Sequence, residues 1–162
     1  KGYLQLVKTL KKQVKGIAIR STFITGFPGE TEKAFDNLVE FIQTAKLMNA
    51  GFFKYSREKG TPAYKLDGQI KAQVKNKRLR KLYSTQKAVV KQNNARFIGK
   101  TIEVKAEGFD FDQLVYYGRA YFNAPDIDGK VYFFSGDEVV YGEYYDVEII
   151  KATGYDLYGE RL

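Results

Sequence analysis

Apolar positions in the first half of the chain recur mostly at helical spacing. Tyr3, Val7, Leu10 and Val14 fall on one face, with Lys8, Lys11, Lys12 and Lys15 mostly elsewhere. This predicts an amphipathic helix over residues 3–14, ended by Gly16. Ile17 to Thr25 is rich in β-branched residues and apolar enough to predict a strand covered on both faces. Phe35, Leu38, Val39, Ile42 and Ala45 form a second helical stripe, opened by Thr31 as N-cap with Glu32 at the positive end of the helix. Gly51–Ser56 reads as a second short strand. The unit is strand–helix–strand, which predicts parallel strands joined by a right-handed crossover. Arg57–Pro62 is then a loop at the same end of the sheet as the turn that follows Thr25. A long helix over residues 68–95 places Ile70, Val74, Leu82, Val89 and Val90 along one side. Lys71, Lys75, Lys77, Arg78, Arg80, Lys81, Lys87 and Lys91 cover the rest.

From Phe97 the period shortens to two. Ile102, Val104 and Ala106 alternate with Thr101, Glu103 and Lys105, and Tyr145, Val147 and Ile149 alternate with Asp146 and Glu148. Further strands are predicted within Gln113–Phe122, Lys130–Ser135 and Tyr155–Gly159, punctuated by glycines. Five short strands in so small a segment predict a small antiparallel barrel, closed so that no edge is left open. The fold class is therefore α/β followed by all-β. Two parallel strands with open edges do not make a stable sheet alone. Residues 1–95 thus read as the end of a larger α/β domain and residues 96–162 as a separate barrel.

Charge sharpens the division. Residues 1–64 carry eleven basic and five acidic side chains, residues 65–100 eleven and one, and residues 101–162 five and thirteen. A cationic front and an anionic back predict two modules with different partners. The basic helix is either a solvated face or a surface for ribosomal RNA. The fourteen aromatics of residues 101–162 are either barrel wall or a stacking platform for single-stranded RNA. A net charge of −8 disfavours the platform, because phosphates would be repelled, and favours a strongly basic protein. The chain has no cysteine and no histidine, hence no disulfide, no thiolate and no iron–sulfur ligand. No apolar run reaches the length of a membrane span and no signal peptide opens the chain, so a cytoplasmic protein is expected.

The stretch Thr22-Phe23-Ile24-Thr25-Gly26-Phe27-Pro28-Gly29-Glu30-Thr31 carries the sharpest chemical signal. A strand ends at a tight glycine turn and hands over to an acidic helix start, the place where α/β folds build sites. It is neither a P-loop nor a G-x-G-x-x-G turn. It is either a backbone cradle for a small cofactor or a turn that needs Gly26 and Gly29 for positive φ. In the barrel, Pro125 and Gly129 frame a loop that would present Asp126 and Asp128 to a basic protein, with Arg119 holding one of them. The alternative is that both aspartates only cap turns.

These residues resemble the radical-SAM methylthiotransferase family. Thr22–Thr31 is similar to its late-barrel GFPGET element, Phe53–Ala63 to its FxYSxxxGTPA strand and loop, and residues 96–162 to its terminal TRAM domain. Gly118-Arg119-Ala120-Tyr121, Ala124–Gly129 and Tyr155–Gly159 resemble the branch that methylthiolates an aspartate of small-subunit ribosomal protein 12. The resemblance implies the last βαβα portion of an incomplete radical-SAM, TIM-like barrel, followed by an OB-like five-stranded barrel. It implies S-adenosylmethionine and two iron–sulfur clusters in the full-length enzyme, with no cluster ligand in this chain. Gly26, Phe27, Gly29 and Glu30 would shape the cofactor pocket, and Tyr55 and Ser56 would border it. Arg119, Asp126 and Asp128 would meet the protein substrate. No residue here is expected to be catalytic or to bind metal. The alternatives are the sister branch, which modifies adenosine in transfer RNA, and a non-catalytic RNA-binding module. Anaerobic reconstitution of the chain with iron and sulfide, followed by visible absorption, should give no stoichiometric cluster spectrum.

Overall fold

A computed structural model describes residues 2–162. The chain divides into two compact units, one ending at Val89 and the other spanning Val90–Leu162. The first contains helix α1 (Gly2–Gln13), strand β1 (Arg20–Thr25), helix α2 (Glu32–Ala45), strand β2 (Asn49–Lys54), a 3₁₀ turn (Pro62–Lys65) and most of helix α3 (Ala72–Ala95).

Strands β1 and β2 pair in parallel, with Phe23 opposite Phe52 and Ile24 opposite Phe53. The α2 stripe buries as its spacing predicts. Phe35 and Ile42 pack with Phe52, Leu82 and Val89, and Leu38 and Val39 lie against them. Thr31 caps α2, its hydroxyl accepting from the Ala34 N–H at 3.1 Å. At the other end Lys46 turns left-handed, and Lys11 Nζ donates to the carbonyls of Ala45 and Lys46, both at 2.8 Å. A lysine of α1 thereby satisfies carbonyls that the end of a helix leaves open.

Three expectations need correction. Of the stripe predicted for α1, Tyr3 is exposed and Val14 lies exposed beyond the helix end, while Val7 is buried and Leu4 packs beside it. The strand predicted from Ile17 pairs only from Arg20 and is covered on one face alone, since Ile24 and Phe53 stand exposed on the other. The long helix starts at Ala72 rather than 68, because Leu66–Lys71 is an irregular connection in which Gly68 has a φ of 71°.

The second unit is a closed barrel of β3 (Thr101–Asp110), β4 (Val115–Arg119), β5 (Val131–Phe134), β7 (Asp156–Arg161) and β6 (Tyr144–Thr153), in that order around the ring. Four neighbouring pairs are antiparallel, whereas β5 and β7 run parallel. The expected five-stranded barrel is present, with one departure from the antiparallel pattern. Directions cannot alternate all the way around an odd-numbered ring, so one parallel pair is obligatory. Val104, Ala106, Val131, Phe133, Val147, Ile149 and Leu157 fill the interior, as the alternation predicts. Two bulges interrupt the ladders, at Glu107 in β3 and at Ile150 in β6.

Interior space is tight where strands meet. A Cβ on Gly118 would sit 2.0 Å from the Lys105 carbonyl oxygen, and one on Gly159 2.3 Å from that of Glu148. Both obstacles are backbone and cannot turn aside. Gly118→Ala should destabilise the barrel by about 2 kcal/mol or more. Gly136→Ala, where a Cβ meets nothing within 4 Å, should change it by less than about 0.5 kcal/mol. Urea unfolding of the whole chain, followed by the near-ultraviolet signal of the barrel tyrosines, measures both.

Candidate functional site

The strand ends of the first unit come together as predicted. The Tyr55 N–H donates to the Thr25 carbonyl at 2.8 Å, and the rings of Phe27 and Tyr55 meet edge to face with centroids 5.1 Å apart. The turn itself is tied inward. Gly26 and Gly29 have φ of 78° and 81°, the positive values that only glycine adopts freely. The Gly26 N–H donates to Glu30 Oε2 at 3.0 Å, the Gly29 N–H to the Gly68 carbonyl at 3.0 Å, and the Glu30 N–H to the Phe27 carbonyl at 3.0 Å. Those three donors are not open to a ligand. Ser56 is exposed and donates to Glu58 at 2.6 Å.

Glu30 is the hub. Its Oε1 accepts from the Thr25 hydroxyl at 3.0 Å and pairs with Arg78 of α3 at 2.7 Å. Arg78 reaches Glu32 with its other terminal nitrogen at 2.6 Å, and its guanidinium lies 5.3 Å from the Phe35 ring centroid. The Arg78 side chain is only 5% exposed. It therefore does not belong to the cationic surface to which the sequence pattern assigns it. One turn earlier, Lys75 Nζ donates to the Tyr55 carbonyl at 2.9 Å and lies 4.9 Å from the Tyr55 ring centroid. Sequence reasoning missed these two residues as parts of the site, because a lysine or arginine in a basic helix looks like a solvated one. It also missed that Ile24, Phe53 and Phe27 leave exposed apolar surface at this sheet. Lys77, Arg80, Lys81, Lys87 and Lys91 are exposed along α3.

In the barrel, Arg119, Asp126 and Asp128 line one cleft of about 690 Å³, together with Lys105, Glu107, Tyr117, Lys130 and Tyr141. Arg119 does not hold an aspartate; its Nε pairs with Glu107. Asp128 locks the loop from within, its Oδ2 accepting from the Ala124 N–H at 2.6 Å while its own N–H donates to the Ala124 carbonyl at 3.3 Å. Asp126 sits at the loop's tip with a φ of 58°, a conformation aspartate tolerates better than most residues.

On the outer wall, Tyr117 opposes Tyr132 and Tyr132 opposes Tyr158. The rings of the second pair stack with centroids 5.2 Å apart. Lys130 lies 3.7 Å above Tyr117. These half-buried rings pack against one another along the outer face of the barrel. Burial and the nearby Asp156 push the Tyr132 phenol above its ordinary value. At the β3–β4 turn the N–H and the side-chain amide of Gln113 hold the Asp110 carboxyl below its ordinary 3.8. The stabilisation from that turn is present above the ordinary value and is lost as pH falls through the lowered one.

The fold and its sites define a two-part protein: a βα layer with a keyed glycine turn, then a closed barrel of TRAM type. Residues 98–162 match the TRAM domain family. Over 98% of its length the chain is 41% identical to a ribosomal protein uS12 methylthiotransferase RimO of Acetivibrio thermocellus, covering 35% of that protein. It is 42% identical to the enzyme of that name from Protochlamydia amoebophila, and 44% to that from Clostridium acetobutylicum, over 96% of the chain in each case. It covers 33% and 35% of those proteins. The chain is thus similar to RimO methylthiotransferases over nearly all of its own length, and it spans about a third of theirs. Among the described residues no cluster of histidine, cysteine, aspartate or glutamate could hold a metal ion, and no helix is long and apolar enough to cross a membrane.

Removing one member of a buried ion pair leaves the other charge uncompensated. Arg78→Ala should cost about 3–5 kcal/mol, and the exposed Arg80→Ala less than about 0.5 kcal/mol. Urea midpoints of the two variants give the comparison. Hydrogen exchange at the Gly26 amide should accelerate in the first variant only.

Proposed function

We propose that the chain is the C-terminal portion of a methylthiotransferase that modifies an aspartate of ribosomal protein uS12. Similarity over nearly the whole of this chain to proteins of that name carries the reading. On this reading residues 1–95 end a radical-SAM barrel and residues 96–162 are the domain that recognises the substrate. The bare face of β1 and β2 then belongs to the interior of the complete barrel.

The residues present fit S-adenosylmethionine in kind. Ile24 and Phe53 are exposed apolar neighbours across the strand pair, and Phe27 stands at the strand end, 42% exposed. They would take the flat faces of the adenosyl group, with backbone at Tyr55 and Ser56 at its border. Gly26, Gly29 and Glu30 shape this wall from behind, through the turn they close. The bound cofactor supplies the radical chemistry. The two iron–sulfur clusters rest on cysteines that this chain does not have, so the isolated chain is inactive. The exposed lysines and Arg80 of α3 suit a contact with ribosomal RNA. A cytoplasmic enzyme working on ribosomal protein accords with all of this.

The anionic barrel supplies the affinity for a basic substrate. The chain, immobilised for surface plasmon resonance, should bind purified ribosomal protein uS12 with an on-rate that falls steeply as salt rises. In competition, single-stranded RNA should not displace that protein from the barrel. Tighter binding of RNA to the barrel than of uS12 would instead favour the transfer-RNA branch or an RNA-binding module.

A further inference from the structure

Three cations, Lys105, Arg119 and Lys130, and three carboxylates, Glu107, Asp126 and Asp128, line the barrel cleft. Lys130 lies over Tyr117, and Lys105 Nζ lies 5.9 Å from the Tyr144 ring centroid. Asp128 is bound into its loop. Arg119 engages Glu107 through Oε1 only. Two acceptors remain: Glu107 Oε2 and the carboxylate of Asp126, neither of which has a partner among the described residues.

Both are presented by local backbone features rather than by chance. Glu107 is the inserted residue of the β3 bulge, between the pairs Ala106–Gly118 and Gly108–Tyr117. A bulge releases one residue from the ladder and re-aims its side chain. Asp126 occupies a left-handed tip between Pro125, which fixes its own φ, and the Asp128 lock. Neither carboxylate needs much ordering to accept a ligand. The half-exposed ring of Tyr141 borders the same cleft.

We propose that this cleft is a socket for one arginine side chain of a basic polypeptide. Its guanidinium meets Asp126 and the open oxygen of Glu107, and Arg119 positions Glu107 for that contact. The proposal rests on the reading of the barrel as the domain that binds a basic protein. Arginine suits the socket better than lysine does. Its planar fork reaches two carboxylates at once, and it stacks on an aromatic face such as that of Tyr141. The barrel's surplus of acidic side chains draws such a partner in.

Arg119 makes the inference sharp, because two accounts of it predict opposite signs. If the barrel attracted basic protein by net charge alone, removing a cation would strengthen binding. If Arg119 positions Glu107, removing it weakens binding although the barrel becomes more negative.

The test measures binding of ribosomal protein uS12 to the whole chain at low salt. Asp126→Asn, which keeps a residue tolerant of the left-handed turn, should weaken binding about tenfold, the scale of one charge-assisted hydrogen bond. Asp137→Asn removes the same charge outside the cleft and should weaken it less than about twofold. Arg119→Gln should weaken binding several-fold, while Lys151→Gln, with the same charge change elsewhere, should leave it equal or slightly tighter. A uS12 sample with its arginines replaced by lysine should bind the wild-type chain more weakly. Equal effects of Asp126→Asn and Asp137→Asn, or tighter binding by Arg119→Gln, would overturn the socket and leave the broader reading standing. Absence of salt-sensitive uS12 binding by the wild-type chain would remove both.

Discussion

The carboxylate of Glu30 is the constraint on which the first unit depends. It gathers the end of β1 through the Thr25 hydroxyl, the glycine turn through the Gly26 N–H, and α3 through Arg78. Each partner belongs to a different element, so the contact fixes three segments with one side chain. Burial makes the arrangement unforgiving, since a buried charge without its partner is costly. The same burial makes it specific: the turn cannot drift while Arg78 stays in place. The glycine-rich stretch therefore works as a fastened corner more than as an open cradle. What it offers a ligand is the shape of a wall.

Chain topology sets the corresponding constraint in the second unit. Five strands close into a ring only if one neighbouring pair is parallel, and β5–β7 takes that role. Closure forces close backbone approaches, which is why Gly118 and Gly159 face carbonyl oxygens that leave no room for a Cβ. A bulge lies beside each of these glycines, at Glu107 and at Ile150. The first places Glu107 outside the ladder.

Much of this was legible in the residues. The spacing of Phe35, Leu38, Val39, Ile42 and Ala45 marks α2 without ambiguity, and the alternations around Val104 and Val147 mark β3 and β6. Thr31 was readable as a cap because its chemistry is local. Arg78 was not readable, because nothing in a run of lysines and arginines says which one turns inward; its partners lie more than forty residues away. The pairing of Arg119 with Glu107 escaped for a related reason. It depends on a bulge, and a single inserted residue leaves no mark on an alternating pattern. Ile24 misled in the opposite direction. The apolarity of Ile17–Thr25 suggested cover on both faces, while the structure leaves Ile24 exposed on one of them.

The two units meet one problem, the exposed edge and face of a sheet, in different ways. The barrel removes its edges by closure and buries its interior completely, so its remaining surface is free to carry charge. The β1–β2 layer does neither. A two-stranded sheet is marginal in water, and this one also leaves Ile24 and Phe53 exposed side by side. Its stability comes from the helices on the other face and from the Glu30–Arg78 tie, not from the strand pair. An apolar face kept bare beside so firmly anchored a corner has a geometry worth keeping only if something else completes it. Under the proposed assignment of these strands to a larger barrel, the anchored corner fixes the exposed surface of Ile24 and Phe53 as part of that barrel's inner face.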